Sequence, residues 1–154
     1  MEMDKAYSPD TIESKLYQWW METKSFAPQG NGPAFSVFLP PPNVTGALHM
    51  VHALNQTIQD AMCRYKRMKG YQVLWVPGTD HAGIATQNVV EKRIKEDNLT
   101  RHDLGREVFL EKVWAWKTEY RDRITAQIRA LGSSVDWDRE RFTMDEGCQA
   151  AVLE

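Results

Sequence analysis

Two stretches of this sequence carry residue types and spacings that could do chemistry. The first reads Pro40-Pro41-Pro42-Asn43-Val44-Thr45-Gly46-Ala47-Leu48-His49-Met50-Val51-His52. His49 and His52 stand at i and i+3, so on a helix they share one face. At a helix N-terminus the unpaired N–H groups and the dipole both favour an anion. Imidazole N–H groups added there could donate to phosphate oxygens and stabilise charge developing on a transferred phosphoryl group. The stretch has no G-x-x-x-x-G-K, so it is not a P-loop. The plainer alternative is that both histidines are surface or capping residues. His-x-x-His without a third ligand is poor evidence for zinc, and no metal site is assigned. The second stretch reads Pro77-Gly78-Thr79-Asp80-His81-Ala82-Gly83. The Asp80 carboxylate could pair with an ammonium or cap the helix that follows; spacing alone favours the cap.

Those residues need elements to position them. A first helix is predicted from Ser8-Pro9, a good N-cap and a proline at the first helical position. Ile12, Leu16, Trp19 and Trp20 recur along it at helical spacing. Residues 26–34 contain two prolines and two glycines and read as a loop. Phe35–Leu39 is a short apolar strand stopped by Pro40, because proline cannot donate to a ladder. From Ala47 to Lys69 the pattern is helical, with Met50, Leu54, Ile58, Met62, Tyr65 and Met68 near one face and Gly70 as the stop. Its basic end, Arg64 to Lys69, reads as a solvated face. Tyr71–Val76 is a second buried strand ended by Pro77-Gly78, and a helix follows over Ile84–Glu96.

Residues 35–76 therefore spell one βαβ unit, whose strands pair in parallel with a right-handed crossover. Ligands in such sheets bind beyond the C-terminal strand ends, which is where Asn43, the histidine turn and Asp80 all fall. A long helix is predicted from about Arg106 to Leu131, with Phe109, Val113, Trp116, Tyr120, Ile124, Ile128 and Leu131 as its stripe and Gly132 as its end. Residues 133–154 read as irregular chain, with another helix starting near Glu146 and no clear capping signal at the end. That ending is expected of a piece of something longer.

Composition sets the outer limits. The chain has 154 residues, 42% hydrophobic and 26% charged, which is an ordinary globular balance. Its formal net charge of −2 argues against nucleic-acid binding by bulk charge. No apolar run is long enough to span a membrane. Met1-Glu2-Met3-Asp4-Lys5 has no apolar core and shows no secretory signal. Cys63 and Cys148 stand alone and far apart, as expected of a reducing, cytoplasmic compartment. Several of the six tryptophans are expected to fill a core.

The proline-rich turn followed by His-x-x-His resembles the nucleotide-binding segment of the class I aminoacyl-tRNA synthetases, whose hallmark is His-x-Gly-His at a Rossmann helix start. Val76–Gln87 (VPGTDHAGIATQ) and Leu131–Glu146 (LGSSVDWDRERFTMDE) are similar to the valine-specific branch, and the likeness covers essentially the whole chain. The resemblance implies an α/β fold: a partial Rossmann-type nucleotide-binding domain over residues 1–154, preceded by a helix and followed by a long helix. It implies ATP-dependent activation of valine and transfer to tRNA in a longer parent chain, with Mg2+ accompanying ATP. His49 and His52 would contact ATP phosphates, with Thr45 beside them. Pro41, Pro42 and Asn43 would wall the amino-acid pocket, and Asp80 would hold the substrate ammonium. Two departures stand out. Val51 occupies the family's glycine position, which lets adenine or ribose approach the helix backbone; overpacking there typically costs about 1–3 kcal/mol. The second catalytic motif, Lys-Met-Ser-Lys-Ser, is absent from these residues. Both departures keep an alternative open: a catalytically inactive binding or interaction module derived from such an enzyme.

Overall fold

The computed structural model describes residues 6–154, so the reading of Met1–Lys5 lies outside the described residues. The helix α1 (Pro9–Glu22) starts with Pro9 at its first position, but Ser8 makes no side-chain cap bond. None of its residues is buried, and Trp19 is 55% exposed. Trp20 meets Phe26 at 5.3 Å between centroids, and the Arg64 guanidinium lies over its ring.

The strand β1 (Ala34–Phe38) pairs in parallel with β2 (Gln72–Val76), with Phe35 opposite Val73 and Val37 opposite Trp75. The helix α2 (Met50–Met68) makes the crossover, so the βαβ unit is present as expected. Gly70 at φ 80° turns the chain back, a left-handed conformation that only glycine adopts without strain.

Two strand endings differ from expectation. The proline triplet stops β1 only briefly: the Leu39 N–H donates to the Val76 carbonyl, and pairing resumes where Asn43 bridges Asp80. Pro77-Gly78 does not end the second strand. The chain stays extended as β3 (Gly78–Thr79), which pairs in parallel with β4 (Arg141–Phe142) inside the stretch expected to be irregular. A two-residue strand has no alternation to find. Pro77 is tolerated because its neighbour bulges out at that level. The Asp136 N–H reaches the Trp75 carbonyl, a 3-10 turn covers Trp137–Arg139, and the Arg141 N–H then reaches the Pro77 carbonyl. The donor that proline lacks has no ladder partner to lose there. Gly78 is required by the close approach of β4, since a Cβ would sit 2.8 Å from the Arg141 carbonyl oxygen.

The apolar stripe of α2 does not face the core. Met50, Leu54, Ile58, Tyr65 and Met68 are exposed, and the inward face carries Gln56 and Cys63. Tertiary hydrogen bonds explain why the polar face turns inward. Gln59 accepts from the Trp75 indole at 3.1 Å, and Asp60 accepts from the Ser134 N–H at 3.0 Å. Arg64 donates to the Gly132 carbonyl, and Arg67 to the carbonyls of Phe26 and Ser134. The basic end is thus only partly a solvated face. Burial also pushes the Cys63 thiol up to about 11, well outside the reactive range.

The main core joins Leu39, Val44, Val73 and Trp75 to Ile124, Ile128 and Val135. Each such large side chain contributes roughly 1.5–3 kcal/mol on burial. A second cluster, Val90, Ile94, Phe109 and Trp116, packs α3 (Ile84–Glu96) on α4 (Arg101–Ala130). The helix α4 breaks at Gly105 (φ 74°), so the long helix from Arg106 is preceded by a separate turn. That turn is capped reciprocally by Thr100 and Asp103, at the spacing of a capping box. Leu131 is 45% exposed and leaves the stripe at its last turn. The chain closes with α5 (Glu146–Leu153), N-capped by Asp145. No helix of the described residues is long and apolar enough to cross a membrane.

Candidate active site

The turn between β1 and α2 is built by three prolines followed by a loop that α4 holds in place. The Trp116 indole N–H donates to the Val44 carbonyl at 2.9 Å, a buried bond. The Gln127 side-chain oxygen accepts from the Leu48 N–H at 2.8 Å. Neither residue stands out in the sequence. Trp116 belongs to an apolar stripe and Gln127 to a polar helix face, and no local spacing distinguishes them. Thr45 sits half-buried in this turn.

His49 is the N-cap of α2 rather than a residue of its first turn, and His52 is at the third helical position. Their rings lie 4.0 Å apart between centroids. The His49 N–H donates to His52 Nδ1 at 3.3 Å, so His52 Nδ1 offers its lone pair inward and the ring proton sits on Nε2. This satisfies one orphan donor at the helix start, and among the described residues no hydrogen bond engages Nε2. Burial first, and the neighbouring His49 charge second, lower the His52 pKa below its ordinary value of 6.5. The ring is therefore neutral at physiological pH. The unfolded chain takes up the proton first, so the contribution of His52 to stability is intact above 6.5 and declines as pH falls below it. An NMR titration of His52 is expected to show a midpoint under 6.5; a midpoint above it would contradict this environment. Val51, between the histidines, is 68% exposed on the open side of the helix start.

Asp80 and Asn43 come together as expected, bridged across the two parallel chains. The Asp80 N–H donates to the Pro42 carbonyl and the Val44 N–H to the Asp80 carbonyl, both at 2.9 Å. Pro42 is buried, Pro41 packs near Gly78, and Asn43 is exposed. Asp80 does not cap α3. Gly83 holds that position, and Asp80 Oδ1 instead accepts from the Ala82 N–H at 3.0 Å. Ala82 has φ 52°, a left-handed conformation that costs a non-glycine residue about 1 kcal/mol or more. The Asp80 carboxylate stabilises that turn. Thr143, just past β4, donates its hydroxyl to the same Oδ1 at 3.0 Å. Among the described residues no hydrogen bond engages Oδ2.

The same arrangement of elements recurs in known proteins. The family model for class I tRNA synthetases (I, L, M and V) matches residues 15–154. Valine–tRNA ligase of Geobacter sulfurreducens is 56% identical over 155 residues, covering 99% of this chain and 18% of that protein. Valine–tRNA ligase of Thermotoga maritima is 58% identical over 152 residues, covering 98% of this chain and 18% of that protein. The chain therefore spans under a fifth of the length of these relatives. The fold is also that of a LeuRS of Agrobacterium radiobacter K84, solved in a ternary complex with tRNA and LeuAMS. The TM-score is 0.75 at 21% identity, over 96% of this chain and 18% of that one.

Proposed function

Because the chain belongs to the class I tRNA synthetases, we propose that it is the N-terminal part of the catalytic domain of a valine-specific member and carries the first half of its active site. One observation carries the reading: the histidine turn and the Asp80–Asn43 bridge lie beyond the C-terminal ends of the same pair of parallel strands. An amino acid held by its ammonium at Asp80 would present its carboxylate toward a phosphate held at the start of α2. The carboxylate oxygen attacks the α-phosphorus of ATP, pyrophosphate leaves, and valyl-adenylate forms. A terminal ribose hydroxyl of tRNA then takes the valyl group, and AMP leaves. No protein nucleophile is needed. The chain supplies positioning and donors aimed at the phosphoryl centre. Mg2+ enters with ATP as part of the substrate. Identity of 56–59% to valine–tRNA ligases supports valine as the amino acid, and the two free cysteines fit a reducing, cytoplasmic location.

The open face of α2 supports an incomplete domain. Phe38 on β1 and the stripe Met50, Leu54 and Ile58 are all exposed, more apolar surface than an isolated unit usually leaves. The remainder of the synthetase chain would cover them and bring the second phosphate-binding motif.

The test is ATP–pyrophosphate exchange in the full-length chain that carries this segment. Exchange stimulated by valine is expected. Stimulation by a different amino acid overturns the valine assignment, and no exchange with any amino acid favours an inactive derived module. On the same chain Val51→Gly is expected to tighten ATP. The β-branched side chain stands where close approach of the nucleotide to the helix backbone needs space, and relieving such overpacking is worth roughly 1–3 kcal/mol. Calorimetric titration of ATP into both forms checks this; equal affinities would remove the steric argument.

A further inference from the structure

The segment around β4 delivers one hydroxyl to the site, that of Thr143. The Thr143 N–H donates to the Thr79 carbonyl at 3.2 Å, which registers Thr143 beside Asp80. Its side-chain oxygen then makes three contacts. It accepts from the His81 N–H at 3.0 Å, lies 2.6 Å from His81 Nδ1, and donates to Asp80 Oδ1 at 3.0 Å. A hydroxyl has one proton and two lone pairs. With the proton committed to the carboxylate, both lone pairs face His81, so His81 Nδ1 carries a hydrogen. His81 is itself braced edge-on against Phe142, at 6.4 Å between ring centroids.

We propose that Thr143 is a positioning residue for amino-acid recognition: with His81 behind it, it locks Asp80 so that Oδ2 faces the substrate ammonium. The inference rests on the reading of Asp80 as the ammonium partner. Two donors, the Ala82 N–H and the Thr143 hydroxyl, converge on Oδ1. His81 Nδ1 also lies 3.3 Å from Oδ1, but Ala82 and His81 both belong to the turn that follows Asp80, so they hold the carboxylate from its own segment only. The Thr143 bond comes from a different strand, so Oδ2 is held in place before the substrate arrives. Such pre-organisation is worth most for a group that must meet a charged partner in one geometry.

The experiment uses the full-length chain and reads KM for valine, KM for ATP and kcat in pyrophosphate exchange. Thr143→Val keeps the shape and removes the hydroxyl; Thr143→Ser keeps the hydroxyl. Loss of one hydrogen bond to a charged group is expected to raise the valine KM by roughly tenfold, with the ATP KM and kcat within about twofold of the parent. Serine is expected to restore the valine KM. Inhibition by 3-methylbutanoate, which has the side chain and carboxylate of valine but no ammonium, should be unchanged in both variants. A role in merely shaping the pocket would weaken that inhibitor as well, and that result overturns the proposal. So does Thr143→Ser behaving like Thr143→Val. Asp80→Asn is run in parallel. If it raises the valine KM and Thr143→Val does not, Thr143 has no positioning role. If Asp80→Asn itself leaves the valine KM unchanged, the reading of Asp80 falls, and this inference falls with it. Should Thr143→Val lower the melting temperature sharply, Thr143→Ala and Thr143→Ser are compared at a temperature where both are folded. Alanine is then expected to raise the valine KM and serine to restore it, and equal values for the two overturn the proposal.

Discussion

Asp80→Asn is expected to cost roughly thirtyfold or more in affinity for valine and for a valyl-adenylate analogue, while leaving the fold intact. The asparagine oxygen can still accept from Ala82 and Thr143, because both donors act on one oxygen of the native carboxylate. That forces the amide NH2 into the place of Oδ2, where it faces the substrate ammonium donor to donor. Removing one partner of a partly desolvated charge pair typically costs about 2–5 kcal/mol, and about 2 kcal/mol is already roughly thirtyfold. Stability should hardly change, since Gly83 rather than Asp80 caps α3. Calorimetry or inhibition kinetics in the full-length chain measures the loss. Valinol, which keeps the ammonium and lacks the carboxylate, should lose affinity to the same degree. Parent-like binding of valinol and the analogue to Asp80→Asn would show that the carboxylate serves only the Ala82 turn.

His52→Ala is expected to lower kcat in valine-dependent pyrophosphate exchange by about 10²–10³, the usual consequence of removing one pre-aimed donor from a developing charge. The geometry explains why one ring can matter that much. Its Nδ1 is occupied by the His49 N–H, so the tautomer and the direction of Nε2–H are set before ATP binds. A neutral ring keeps the Nδ1 lone pair that accepts from His49, with its one hydrogen on Nε2. The effect should appear in kcat with the valine KM nearly unchanged, because Asp80, the partner of the ammonium, lies on the other strand of the bridge. His52→Gln, whose amide N–H reaches a place similar to Nε2, should recover part of the rate. A fall of less than about threefold in His52→Ala, or a defect confined to the valine KM, would remove His52 from the phosphoryl centre.

The sequence by itself determined the scaffold of this chain and the identity of its chemical groups. The apolar run over 35–39, the helical period to Lys69 and the punctuation by Gly70 lead to the parallel β1–α2–β2 unit, because those signals are local and their periods are unambiguous. The juxtaposition of Asn43 with Asp80 follows from the same topology, since parallel strands bring their C-terminal ends to one edge. The motif around His49 and His52 carries the family. What only the tertiary structure decided are the features that depend on partners distant in sequence. Which face of α2 turns inward is settled by polar contacts to Trp75, Gly132 and Ser134, against the pull of its apolar stripe. Periodicity reports which residues share a face; it does not report what waits opposite. The strand β4 is invisible in the sequence because two residues cannot alternate, and it exists only because Gly78 admits its backbone. The residues that aim the site, Trp116, Gln127 and Thr143, act across 72, 79 and 63 positions of chain. A single hydrogen bond to a remote backbone or carboxylate leaves no trace in local spacing, so these roles were decided where the chain folds back on itself.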